Sequence, residues 1–193
     1  MANLPIDPQR YYVNPLHVVP TWAEDEGVVY MIVEINKGTI TKYELVTETG
    51  QLKVDRVGYS SLAYPFEYGA VPQTLDGDGD PIDIMLVNTT EKLVPGCLIE
   101  ARVIGLMEMM DDGEVDDKVI AVPNNDKRFD HIKDITDLPE YFFKETKYYW
   151  EHYKDLKKEN IVQVKEFKNK AAAIKTIKEC EERYNKDYRS KVK

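Results

Sequence analysis

Between Asp76 and Asp83 the chain reads Asp-Gly-Asp-Gly-Asp-Pro-Ile-Asp, four carboxylates in eight residues set on two glycines and a proline. Glycine and proline at this density enforce a tight turn, and like charges so close repel unless cations sit among them. Donors that are all oxygen select hard ions such as Mg²⁺ over zinc or copper. Asp78, Asp80 and Asp83 can aim several oxygens at one ion, whose charge acidifies a bound water and makes it a nucleophile. A calcium loop of the EF-hand kind shares the Asp76, Asp78, Asp80 spacing. It needs Gly at its sixth position and Glu at its twelfth, where this chain has Pro81 and Val87.

Asp111, Asp112, Asp116 and Asp117 form a second acidic cluster directly before Lys118. Alone it reads equally as a hydrophilic hairpin tip. Brought to the same barrel mouth as the first cluster, it completes a site for two or more ions, the arrangement that clamps attacking and leaving oxygens in phosphoryl transfer. Glu34 ends an apolar run, where unpaired burial is costly, so it is either an outward strand end or a paired site residue. Lys42, Arg56, Lys118 and Lys154 supply positive charge, and Tyr64, Tyr68 and Tyr153 supply donors for phosphate oxygens. His17, His131 and His152 lack ligand spacing, and no Walker loop, dinucleotide fingerprint or serine elbow is present.

These side chains need a scaffold. The β-branched run 27–35, a turn at Asn36-Lys37-Gly38 and the segment 40–46 predict a hairpin. Further strands are predicted at 51–57, 82–87, 97–107 and 118–122, and at least six short strands predict a closed or nearly closed antiparallel barrel. After Pro123 the period changes to that of helices, one over 138–155 with its N-cap at Asp137, the other over 169–186 with an apolar stripe of Ala173, Ile174, Ile177, Cys180 and Tyr184.

With 193 residues and no linker or repeat, a single domain over 1–193 is expected. The net charge of −9 argues against duplex binding, and the acidic rim argues against a single-strand-binding module on Tyr64 and Tyr68. The purest apolar run, 28–33, falls far short of the ~20 residues that span a bilayer, so no membrane is expected. Cys97 and Cys180 lack metal or disulfide spacing and fit a reduced, cytoplasmic setting.

Asp78-Gly-Asp80-Pro-Ile-Asp83 occurs with Val54-Asp-Arg56, Tyr64-Pro-Phe-Glu-Tyr68-Gly69, Lys118-Val-Ile-Ala-Val-Pro123, Asp130-His-Ile-Lys-Asp134 and Glu151-His-Tyr153-Lys154-Asp155. In this order and spacing the blocks resemble the soluble inorganic pyrophosphatases of the first family, over about Pro15 to Ala173. The resemblance implies a mainly β, α+β fold, a five-stranded OB-like closed barrel with two main flanking helices. It implies hydrolysis of pyrophosphate with several Mg²⁺ ions per subunit and, for the short prokaryotic type, a cytoplasmic homohexamer. It further implies Asp78, Asp83 and Asp116 as ligands of the tighter ions, with Asp111 and Glu34 serving further ions; whether Asp111 or Asp112 faces the metal stays open. Asp80 and Tyr68 take the catalytic positions, Asp80 orienting and deprotonating the attacking water. Lys42, Glu44, Arg56, Tyr64, Lys118, Tyr153 and Lys154 make up the substrate-binding set.

Overall fold

A computed structural model describes residues 13–24, 26–87 and 89–189. Apart from short helical turns, its elements in chain order are β1 (Val28–Ile35), β2 (Thr41–Leu45), β3 (Leu52–Val57), β4 (Glu67–Ala70), β5 (Asp83–Leu86), β6 (Leu98–Asp111), β7 (Glu114–Val115), β8 (Lys118–Pro123), α1 (Glu140–His152), β9 (Val162–Asn169) and α2 (Lys170–Tyr184). Strands β1, β4, β5, β8 and β6 pair in that order, and β6 pairs back to β1, so five strands form a hydrogen-bonded ring. The mainly β, OB-like architecture with flanking helices is the one that the family resemblance implies.

Two pairings differ from the sequence reading. Strand β5 runs parallel to β8, not antiparallel, with Asp83 beside Lys118. The chain reverses once between β5 and β6 and again between β6 and β8, which restores the original direction. Strands β1 and β2 do not form a hairpin. Instead β2 pairs with β3 in a separate two-stranded sheet, and β1 uses both edges for β4 and β6. Buried at all but one of its eight positions, β1 has almost no water along its backbone and needs partners on both sides.

Strand β9, which sequence pattern did not reveal, pairs with the second half of the fourteen-residue β6. The helices are slightly shorter than predicted. Asp137 does not cap α1: its carboxylate accepts from the N–H groups of Lys133 (2.8 Å) and Asp134 (3.0 Å), closing a 3₁₀ turn, and Pro139 precedes the helix instead.

Alternate residues of the ring feed two apolar clusters, as a period of two requires. Met85, Ile120 and Val122 join Tyr64, Phe66, Tyr68, Tyr149 and Trp150, whereas Ile84, Leu86, Val119 and Ala121 join Ala173, Ile177 and Cys180 of α2. Helix α1 thus backs one side of the ring and α2 the other. Between β1 and β4 only glycine fits at 69, because a Cβ there would stand 2.0 Å from the Ile32 carbonyl oxygen.

Candidate active site

One polar cavity of about 350 Å³ opens where the ring, the β2–β3 sheet and the end of α1 meet. The strand registers assemble its wall. Lys42 faces Arg56 across β2 and β3, Asp83 lies beside Lys118 across β5 and β8, and Ile35, next to Glu34, is opposite Tyr68 across β1 and β4. Asp78 and Asp80 come from the glycine turn, where Gly79 takes φ +97°, a conformation side chains resist. Asp111, Asp112 and Asp116 come from the β6–β7 hairpin and the step into β8, and Tyr153 and Lys154 follow α1. Every residue given a site role by the resemblance lines this cavity except Lys118, which lies one layer behind it, while Asp76 and Asp117 of the two acidic clusters do not line it.

Lys118 is 1% exposed, and its ammonium donates to Asp83 Oδ2 at 2.5 Å and to Asp116 Oδ1. Burial opposes its charge, yet the two carboxylates outweigh burial and hold its pKa above the usual lysine range. The ammonium also lies 5.8 Å from the Tyr68 ring centroid and 5.6 Å from that of Trp150. Lys42 donates to Glu44 Oε1 at 3.1 Å, and Lys154 donates to Asp111 Oδ2. For Lys154 burial dominates and lowers the pKa despite Asp111.

Glu34 is buried, which settles its orientation: it points inward. Its Oε1 accepts from the Leu45 N–H at 2.7 Å, but burial still pushes its carboxyl up to about 8. Asp80 is exposed, but the cavity wall partly desolvates its carboxylate, and this, followed by the Asp78, Glu44 and Asp83 carboxylates, raises its pKa as well. Burial lifts Tyr64 to about 12, and Tyr68 and Tyr153 well above the ordinary phenol value, so all three remain protonated donors at neutral pH. Of the two adjacent aspartates, Asp111 is mostly buried, while Asp112 has φ +49°, is largely exposed and pairs with Lys158 at 3.0 Å.

Sequence reasoning missed Trp150, Glu114 and Lys157 on this wall. Trp150 is 2% exposed, donates from Nε1 to Met85 Sδ at 3.2 Å and packs against Tyr64, Tyr68 and Tyr153 with centroids 5.1–6.3 Å apart. Its place one residue before the Glu151-His-Tyr153 block was the available signal.

The donor set suits a hard divalent cation. Nine carboxyl side chains line the cavity against four ammonium or guanidinium groups, and Asp111 Oδ1 is buried without a hydrogen-bond partner among the described residues. Among those residues no three acidic, histidine or cysteine side chains already converge as ligands of one ion; Lys118 and Lys154 sit between the carboxylates instead. The fit therefore lies in oxygen chemistry and excess negative charge.

The sequence pattern of the family described as inorganic pyrophosphatase matches residues 31–185. The inorganic pyrophosphatase of Geobacillus stearothermophilus is 44% identical over 163 residues, 84% of this chain and 98% of that protein. The soluble inorganic pyrophosphatase of Oryza sativa subsp. indica is 46% identical over 86% of this chain and 76% of its own length. Crystal structures of inorganic pyrophosphatases from Neisseria gonorrhoeae and Thermus thermophilus each superpose with a TM-score of 0.84 at 38% identity, covering 89% and 90% of this chain and 99% of theirs. With its acidic cavity, ring of strands and matched length, the chain belongs to the soluble inorganic pyrophosphatases of the first family and is a hydrolase.

Proposed function

We propose that this enzyme, as one domain spanning the chain, hydrolyses inorganic pyrophosphate to two orthophosphates with several Mg²⁺ ions. The observation that carries the reading is the cavity itself: excess carboxylate faces a set of lysine, arginine and tyrosine donors across a space of about 350 Å³. Asp78, Asp83 and Asp116 would hold the tighter ions, with Asp111 and Glu34 serving others. The buried, partnerless oxygen of Asp111 supports it over Asp112 as the ligand. Magnesium, when bound, supplies charge neutralisation and makes a coordinated water more acidic.

The chain's own groups do the rest. A diphosphate would be repelled by bare carboxylates, so Arg56, Lys42 and Lys154 attract its oxygens while Tyr64 and Tyr153 donate hydrogen bonds to them. Asp80, its pKa raised above the ordinary carboxylate value, accepts the proton of the attacking water. Tyr68, at the β4 end of the wall, keeps its proton and orients Asp83. Lys118 holds Asp83 and Asp116 in place and balances charge growing on the leaving phosphate. Two free cysteines, Cys97 and Cys180, fit a cytoplasmic enzyme. Among the described residues no helix is long and apolar enough to cross a membrane. The homohexamer follows from the short-type resemblance, and sedimentation velocity checks it.

Phosphate release from pyrophosphate, assayed with Mg²⁺ and with chelator and with ATP as a competing substrate, tests the reading. Release that needs Mg²⁺ and prefers pyrophosphate is expected. No release with Mg²⁺ present would overturn it.

A further inference from the structure

The acidic turn is gripped from outside the cavity by one turn of α2. The Leu75 N–H donates to the Cys180 carbonyl at 3.0 Å, and the Leu75 carbonyl accepts from Arg183 Nε at 2.8 Å. Both backbone groups of the residue entering the turn are thereby fixed. The same guanidinium donates through Nη2 to Asp76 Oδ1 at 2.9 Å. Asp76 then folds the turn onto itself: its N–H donates to the Asp80 carbonyl at 2.7 Å, and its carbonyl accepts from the Gly79 N–H at 3.2 Å. The far end of the turn is held by the Ile82 N–H on Thr74 Oγ1 at 3.0 Å and by Lys118 on Asp83, whereas the stretch between adds, among the described residues, only the Asp80 N–H on Asp78 Oδ1 at 3.1 Å as an internal brace. Among the described residues a Cβ added at Gly77 or Gly79 would meet no atom within 4 Å, and Thr47 Oγ1 reaches Asp80 Oδ1 only at 3.5 Å.

An ion pair whose arginine side chain is 43% exposed contributes little to stability. The forked guanidinium gives direction instead, because two donors in one plane fix both a carbonyl and a carboxylate. We propose that Arg183 is a positioning residue, fixing through Asp76 and Leu75 the pose in which Asp78 and Asp80 receive magnesium and water. Arg183 does not line the cavity and acts only through the turn. The proposal rests on reading Asp78 as a magnesium ligand.

The test is Mg²⁺ binding without substrate, measured by calorimetry on full-length wild type, Arg183→Ala, Arg183→Lys, Asp76→Asn and the Arg183→Ala/Asp76→Asn double variant, with melting temperature in chelator alongside. Outer groups that orient ligands typically change metal affinity by about 10-fold or more when lost. Arg183→Ala and Asp76→Asn should each weaken Mg²⁺ binding about 10-fold, the double variant no further, and the melting temperature in chelator should barely move. Arg183→Lys should recover only part, since a point charge cannot hold Leu75 and Asp76 together. Should Arg183→Ala fail to fold, Arg183→Lys and Asp76→Asn are read in its place.

Unchanged Mg²⁺ affinity with a lowered melting temperature would overturn the proposal and leave Arg183 a mere tie for the C-terminal helix. Fully additive losses would overturn it as well. Wild type that binds Mg²⁺ but releases no phosphate would instead sink the catalytic reading, with the binding comparison still legible.

Discussion

The turn at 76–83 and the segment 111–117 carry four aspartates each, yet they are neutralised differently. In the second segment Asp111 meets Lys154, Asp112 meets Lys158, Asp116 meets Lys118, and Asp117 accepts the Met109 N–H at 3.1 Å. In the first, Asp76 meets Arg183 and Asp83 shares Lys118, but Asp78 and Asp80 are exposed and, among the described residues, have no basic partner within 4.0 Å. On the proposed reading, the unpaired carboxylates of the first turn are open to cations directly. Asp111 and Asp116 of the second segment would instead exchange an ammonium partner for a cation, freeing that ammonium for an arriving diphosphate.

The sharpest break of this contrast is Asp80→Asn, which should slow turnover by roughly 10² to 10⁴ while leaving Mg²⁺ affinity nearly intact. Steady-state kinetics beside calorimetry checks it, and unchanged turnover removes Asp80 as the base. Next is Lys118→Met, which strips the shared ammonium from Asp83 and Asp116. In chelator it should cost about 3 kcal/mol of folding stability, the lower end for breaking a buried pair. Denaturant titration reads the loss, which added Mg²⁺ should partly reverse; a loss no larger in chelator than in Mg²⁺ rejects the idea that cation and ammonium share these carboxylates.

A third effect concerns Glu34, buried on β1 with its carboxylate accepting from the Leu45 N–H. Its folded pKa of about 8 lies above the ordinary 4.5, so the folded state favours its proton. The stabilisation is complete below about pH 4.5 and is lost as pH rises through 8. Metal-free Glu34→Gln should melt near wild type at pH 5 and above it at pH 8. Parallel melting curves across that window would show that Glu34 does not titrate there. The smallest effect lies behind the first turn. Burial, then the Asp76 carboxylate, lifts the Cys180 thiol to about 12, so at pH 8 an alkylating reagent should label half-buried Cys97 well before Cys180. Equal labelling rates would mean that α2 opens readily away from the turn.

Much of the cavity was legible because its chemistry is local in sequence. Asp78, Asp80 and Asp83 share one turn, Tyr64 and Tyr68 one segment, and Tyr153 and Lys154 are neighbours. What escaped is set by distant contacts. The pairing of β1 depends on burial along both faces, so the nearby segment 40–46 offered a false partner. Strand β9 mixes Val162 and Val164 with Gln163, Lys165 and Glu166, and its strand character comes from the edge of β6. Trp150 reads as core until the fold brings it beneath Lys118, and Arg183 sits in a charged helix end like any solvated residue until Asp76, 107 positions away, reaches it.

Crystals grown with pyrophosphate-free Mn²⁺ standing in for Mg²⁺, and located by anomalous scattering, address the cavity directly. The expected result is more than one ion, with Asp78, Asp83 and Asp116 among the ligands and Lys118 still seated behind them. Aspartates turned outward and apart, with no anomalous peak among them, would contradict it.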